Sequence, residues 1–226
     1  MKGVILQPNY IPWYGYFELI KEADIFVFLD DVQYTRRDWR NRNKILTKDG
    51  DVQWLTVPVI KESRDTLLIK ETKIDNSQDW AKKHFSTLKQ NYSNTPYWHD
   101  YSDLLKHLYS LNYETIDDLD ISFIKSIAKI LNLDTKFVKS SSYDSVGSKD
   151  NKLVDLCKKI GISTYISGPS AMNYIDERNF DHNNIHLRYF EYKMLTYKQV
   201  HSKIFFPNVT VLDLLFNCGD KSCKYI

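Results

Sequence analysis

The chain has 226 residues, with 31 Lys and Arg against 29 Asp and Glu, only 7 glycines and an aromatic share of 14%. No window reads G-x-G-x-x-G or G-x-x-x-x-G-K-[ST], which excludes a Rossmann dinucleotide loop and a P-loop, and the near-neutral balance argues against a dedicated nucleic-acid binder, which carries a basic excess. A 42% hydrophobic share predicts a soluble chain able to bury a substantial core, and no apolar run approaches the roughly 20 residues of a membrane span.

Residues 3–6 are a short apolar run stopped by Gln7-Pro8-Asn9, hence a strand and a loop. A helix over 12–21 follows, with Pro12 at its first position, and 25–29 is a second buried strand. Strand, helix and strand in about thirty residues form a βαβ unit, which wants a parallel sheet. Two runs, 41–46 and 53–59, flank Lys48-Asp49-Gly50-Asp51, and an Asp-Gly pair between such runs predicts a hairpin. A strand is expected over 67–74. Helices are expected over 77–90 (Trp80, His84 and Leu88 spaced by four), 97–109 and 116–131. A strand at 135–138 precedes an amphipathic helix over 150–160, with Leu153, Leu156, Cys157 and Ile160 on one face and Gly161 as its cap. Then come a strand at 164–167, a short helix through Tyr174, a strand at 187–192 and a closing helix over 209–216. With no repeat or linker, the reading is a single α/β domain over 1–226: a parallel-sheet core with a β-hairpin and a helical insert.

Three constellations carry chemistry. The first is the turn Gln7–Tyr16, where a strand meets a helix N-terminus, a place suited to an anion, with Gln7, Tyr10, Trp13 and Tyr16 as candidate binding residues. The second is Asp30-Asp31 at the end of a buried strand, followed by Gln33 and by Arg36, Arg37, Arg40, Asn41, Arg42 and Asn43 around Trp39. Arginine forks suit phosphate or carboxylate, and either aspartate suits a general base or a metal ligand. The third is Ser167-Gly168-Pro169-Ser170-Ala171-x-x-Tyr174, another strand-to-helix turn whose Ser167, Gly168, Ser170 and Tyr174 can cradle part of a ligand. His84 is a candidate base. The six histidines lack metal-site spacing, so no metal site is expected. Cys157, Cys218 and Cys223 are odd in number, and no secretory leader precedes them, so a reducing cytoplasm is expected.

These stretches, with Trp54-Leu55-Thr56-Val57-Pro58-Val59 and Leu212-Asp213-Leu214-Leu215-Phe216-Asn217-x-Gly219, resemble the WbqC-like family across essentially the whole chain. The resemblance implies a role in surface-polysaccharide (O-antigen) biosynthesis, with a glycine-transferase or related amino-acyl activity. A more distant similarity joins the first turn to HIGH-type nucleotidylyltransferases and pantothenate synthetases, and implies a nucleotidylyltransferase-like (Rossmann-like) core. Trp13 and Tyr16 stand where those families have the two histidines that hold the triphosphate. Neither supplies positive charge to a developing phosphate, but both offer an aromatic face.

The expected function is therefore a transferase that adds an amino-acyl (glycyl-like) or acyl group to a nucleotide-linked sugar. Asp30, Asp31 or His84 takes the acceptor's proton. The cofactor or donor is a nucleotide (ATP or a nucleotide sugar) or an acyl-CoA. The rivals are an ATP-dependent amide ligase working through an acyl adenylate and a non-catalytic nucleotide-sugar binding protein. The partner is a small molecule, neither nucleic acid nor membrane, with a homodimer left open.

Overall fold

A computed structural model describes residues 1–60, 67–173 and 175–226. In chain order the described residues form β1 (Lys2–Leu6), α1 (Tyr14–Glu22), β2 (Ile25–Phe28), β3 (Arg42–Leu46), β4 (Val52–Thr56), α2 (Trp80–Tyr92), α3 (Trp98–Ser110), α4 (Ile116–Ile130), β5 (Lys136–Lys139), α5 (Asp150–Ile160), β6 (Thr164–Ser167), α6 (Glu177–His182), β7 (His186–Tyr189) and α7 (Val211–Cys218), with 3-10 turns at Ile69–Glu71, Ser140–Ser142, Pro169–Asn173 and Gly219–Lys224. They divide into two units. The first holds Met1–Pro8, Gly15–Val32 and Leu133–Lys193; the second holds Asn9–Tyr14, Gln33–Asn132 and Met194–Ile226.

The first unit is a five-stranded sheet in the order β5-β2-β1-β6-β7, with every pair parallel. Unbroken apolar runs suit strands covered on both faces, and all four residues of β2 are buried. Its alternate side chains serve opposite faces. Ile25 and Val27 pack with Leu156 and Cys157 of α5 and Phe180 of α6, while Phe26 meets the Tyr16 ring of α1 at 5.3 Å. The sheet is thus wound on both sides, and the chain changes direction between β1 and β6, where the strand order reverses. The α5 face is the expected one, with Cys157 in the core. Gly161 at φ 82 closes the helix, its N–H reaching the Cys157 and Lys158 carbonyls.

In the second unit β3 and β4 form the expected antiparallel hairpin, with Lys44 opposite Trp54 and Gly50 at φ 86 in its turn. Helices α2, α3 and α4 follow where the periodicity put them, and Trp80, His84 and Leu88 are buried on one stripe of α2.

Four expectations are corrected. The strand over 67–74 is a 3-10 turn flanked by isolated bridges at Leu68 and Ile74, because the Thr72 hydroxyl donates to the Leu68 carbonyl at 2.9 Å and folds the segment back. Helix α1 starts at Tyr14 rather than Pro12, after Ile11 turns the chain through φ 40. After β6 the described chain makes a 3-10 turn over Pro169–Asn173, and Tyr174 lies outside the described residues. Strand β7 ends at Tyr189, not 192. No helix of the described residues is long and apolar enough to cross a membrane.

Candidate functional site

The turn after Pro8 is held by side chains from the hairpin. Asn43, 4% exposed, donates through Nδ2 to the Tyr10 and Ile11 carbonyls at 3.0 and 2.8 Å and accepts from the Lys44 N–H. This clamp fixes Ile11 at φ 40, a left-handed conformation that costs a β-branched residue on the order of 1–3 kcal/mol and is the kind of strain that gathers at functional loops. The Tyr10 N–H bonds the Trp39 carbonyl at 2.9 Å, and Pro12 accepts from the Val211 N–H at 2.9 Å. Between these fixed points lies a cavity of about 290 Å³ lined by Asn9, Pro12, Trp13, Trp39, Asn43 and Asn208.

Beside it stands a cationic aromatic platform. The Trp39 and Trp54 rings are 5.5 Å apart at 34°, and each side chain is 39% exposed. The Arg42 guanidinium lies 4.2 Å from the Trp54 centroid, and the Lys44 ammonium lies 4.9 Å from Trp54 and 5.7 Å from Trp39. Such stacking fixes a cation without neutralising it. Arg40 is paired with Asp38 at 2.8 Å. Burial pushes the Asp38 carboxyl up, but Thr35, the Trp39 N–H and Arg40 together hold it below the usual range. Asn9 Oδ1, Arg40 Nε, Asn41 Oδ1 and Arg42 Nε are all buried without a hydrogen-bond partner among the described residues. Native interiors satisfy most such atoms, and here three of the four fall at consecutive positions 40–42. Gln33 and Arg36 are exposed nearby in sequence.

His84 is 7% exposed. Its Nδ1 lies 2.9 Å from the Tyr10 hydroxyl, which is also 2.6 Å from the Tyr109 hydroxyl. Burial lowers the imidazole to about 4, partly opposed by its bond to the Thr56 backbone, so the ring is neutral at pH 7 and a weaker base than a free imidazole. Asp120 of α4 was not expected. It is fully buried, and neither carboxyl oxygen has a partner among the described residues. Burial and then the Asp117 charge push it well above the carboxylate range, with Arg40 opposing. Tyr34 is pushed up to about 12, by burial first and Asp120 second. The available signal was its place in the buried stripe with Ile116, Phe123 and Ile127, where a carboxylate is out of character.

The first unit holds the remaining candidates. Asp30 accepts from the Ser140 hydroxyl at 2.9 Å, the Ser141 N–H at 3.0 Å and the Ser141 hydroxyl at 2.6 Å. Asp31 accepts from the Ser140 hydroxyl and from Lys152 Nζ, the latter at 2.7 Å. Burial pushes Asp31 up, but Lys152 and Ser140 outweigh it and hold its carboxyl below the usual range. These aspartates tie the end of β2 to the turn after β5 and to α5. The Gln7 carbonyl accepts from the Tyr16 hydroxyl at 3.0 Å. The Ser167 carbonyl accepts from the Phe190 N–H at 2.8 Å, and the Gly168 carbonyl from the Ala171 N–H at 3.1 Å. Ser170 is exposed. The expected site residues therefore divide. Tyr10, Trp13, Gln33, Arg36, Arg40, Asn41, Arg42, Asn43 and His84 belong to the second unit, and Gln7, Tyr16, Asp30, Asp31, Ser167, Gly168 and Ser170 to the first.

Residues 7–225, from the strained turn to the end of the last 3-10 turn, match one family. The chain belongs to the WbqC-like protein family. It is similar to "Uncharacterized protein Rv1507c" of Mycobacterium tuberculosis, 41% identical over 227 residues that cover 100% of this chain and 97% of that protein. No solved structure matches.

The stretches that resemble the WbqC-like family do two kinds of work. Asp213 of the Leu212–Gly219 stretch is structural. Its Oδ1 accepts from the Tyr197 hydroxyl at 2.7 Å and Gln199 Nε2 at 2.9 Å, and its Oδ2 from the Tyr92 hydroxyl at 3.1 Å. Asn43 is likewise a clamp. Trp39, Arg42 and Trp54, by contrast, leave aromatic faces and charge toward solvent.

Proposed function

We propose that this WbqC-like protein is a transferase of surface-polysaccharide biosynthesis that adds an amino-acyl or acyl group to a nucleotide-linked sugar, and that the cavity between Asn9 and Trp39 holds the nucleotide-linked part. The observation that carries the reading is the platform of two half-exposed indoles topped by Arg42 and Lys44. A nucleotide-linked sugar has a planar base or ring face and a diphosphate, which call for aromatic surface and fixed cations. In the transfer, an amino or hydroxyl group of the sugar attacks the acyl carbon of an activated donor such as an acyl-CoA. The bond to the donor's leaving group breaks, and the acceptor's proton passes to a base. His84, neutral at pH 7 and hydrogen-bonded to Tyr10, is the candidate base.

A second reading, a non-catalytic nucleotide-sugar binding protein, is favoured by a different observation. Asp30, Asp31 and His84 are all engaged in internal hydrogen bonds. The test is thermal unfolding of the full chain with uridine-, guanosine- and deoxythymidine-diphosphate sugars, followed by a turnover assay with acyl-CoA donors. Stabilisation by one nucleotide class, with acyl transfer that His84→Gln abolishes, supports the transferase. Stabilisation without transfer to any sugar supports the binding protein. No stabilisation by any nucleotide sugar defeats both.

A further inference from the structure

The first unit contains a polar feature that the cavity reading does not use. Helix α1 covers one face of the sheet beside β1, and the turn and helix after β6 cover the other. The chain therefore parts in opposite directions from the carboxyl ends of two neighbouring strands, the place where open parallel sheets form a crevice. Glu18, one turn into α1, is 5% exposed. Among the described residues its Oε2 has only a long bond, 3.4 Å, from the Lys193 N–H, and its buried Oε1 has no partner. Tyr192, next to Lys193 in the chain, is pushed up to about 12 by burial first and by the Glu18 charge second. Its hydroxyl lies 3.8 Å from where a Cβ on Gly168 would stand. Gly168 is the first residue past β6, so its missing side chain leaves the mouth of the crevice bare beside a phenol and close to an unsatisfied carboxyl.

A buried carboxyl oxygen without a donor is costly, and a helix surface offers no reason to keep one. We propose that this crevice is a sugar-ring subsite in which Glu18 accepts hydrogen bonds from adjacent hydroxyls of the ligand, with the ring lying over Gly168. Lys193 and Lys21 bear on Glu18, and both partly offset its charge without occupying Oε1. The ligand chemistry is an uncharged cis-diol, found both in a ribose and in a hexose. The inference does not rest on the nucleotide-sugar cavity, because a diol needs no phosphate.

The test is ligand-observed NMR and calorimetry on the full chain with three phosphate-free probes: uridine, 2′,3′-dideoxyuridine and methyl mannoside. Uridine binding that dideoxyuridine lacks assigns a ribose; mannoside binding alone assigns a hexose. Glu18→Gln, which keeps shape but exchanges a charge-assisted acceptor for a neutral one, is expected to weaken the bound probe about tenfold. Gly168→Leu fills the mouth without removing any hydrogen-bonding group and is expected to abolish binding. Unfolding midpoints of both variants, close to that of the parent, separate these losses from misfolding. The proposal is overturned if none of the probes binds, if dideoxyuridine binds as well as uridine while the mannoside does not bind, or if both folded variants bind as the parent does.

Discussion

Asp213 and Asp120 are both fully buried aspartates on apolar helix faces of the second unit, and they are opposites. Asp213 has three donors aimed at it from Tyr92, Tyr197 and Gln199. Asp120 has none among the described residues. From sequence the two look alike, each a carboxylate interrupting an apolar stripe. The difference shows that burial of a charge says little about its purpose. What decides is whether the surroundings complete its hydrogen bonding. A completed carboxyl organises the fold, and an uncompleted one is tolerated at a cost. The uncompleted polar atoms of this unit include Asp120, Arg40, Asn41, Arg42 and Asn9, four of which lie in the turn and arginine segment that build the proposed site.

The largest effect expected is on the completed side. Asp213→Ala leaves two tyrosine hydroxyls and an amide unpaired in the core and is expected to cost about 3–5 kcal/mol. Urea unfolding followed by tryptophan fluorescence reads it. Asp213→Asn keeps one acceptor and should cost clearly less. Equal losses for the two variants would mean that packing, not hydrogen bonding, is what Asp213 supplies.

Asp120 should move the other way. Its folded pKa is raised, chiefly by burial, so its contribution is most favourable below the unfolded value near 3.9 and is lost as pH rises toward the folded one. Asp120→Asn removes that loss. The variant is expected to be more stable than the parent at pH 7, by about 1–3 kcal/mol, and the advantage should shrink on titration to pH 4. Asp120 acts on Arg40 and Tyr34 only through its charge, so the same variant is expected to bind nucleotide sugars at least as well as the parent. Gained stability without lost binding is the combination that sharpens the contrast with Asp213.

Next comes the platform. Trp54→Ala and Arg42→Ala remove half-exposed groups, so unfolding midpoints should change little. Affinity for the nucleotide sugar that stabilises the parent is expected to fall about tenfold or more, near 1.4 kcal/mol, and the parent's affinity should fall with added salt. A large stability loss with unchanged affinity would make the platform a packing feature.

How much of this was legible in the sequence follows from the range of the interactions. Residues 25–28 announce a doubly covered strand because all four are apolar, and Asp49-Gly50 announces the hairpin turn because the decisive residues are neighbours. Trp13, Trp39, Arg42, Asn43 and Trp54 stood out by type, and the structure gives each a local reason. The segment 67–74 misled because a hydroxyl at Thr72 overrode an apolar run. The roles of the aspartates were out of reach. The donors that close Asp30 lie about 110 positions away, at Ser140 and Ser141, and nothing near Asp120 or Glu18 in the chain shows that their partners are missing.

The pair formed by Asp31 and Lys152 offers the smallest effect and a check on the same rule at the sheet edge. Both side chains are mostly buried, 14% and 13% exposed, and 2.7 Å apart. The Asp31 pKa is lowered because Lys152 and Ser140 outweigh burial. Its stabilising contribution is therefore present above the unfolded value near 3.9 and is lost as pH falls through the folded value. Lys152→Met keeps the length of the side chain and removes the charge. It is expected to cost about 1 kcal/mol at pH 7 and progressively less as pH falls through the lowered folded value and Asp31 takes up a proton. Ser140 and the rest of the Asp30 network remain in place, which is why the loss stays small. If Lys152→Met costs as much in acid as at neutrality, the lysine stem rather than its charge holds the turn. If it abolishes activity while stability holds, the end of β2 belongs with the uncompleted sites after all.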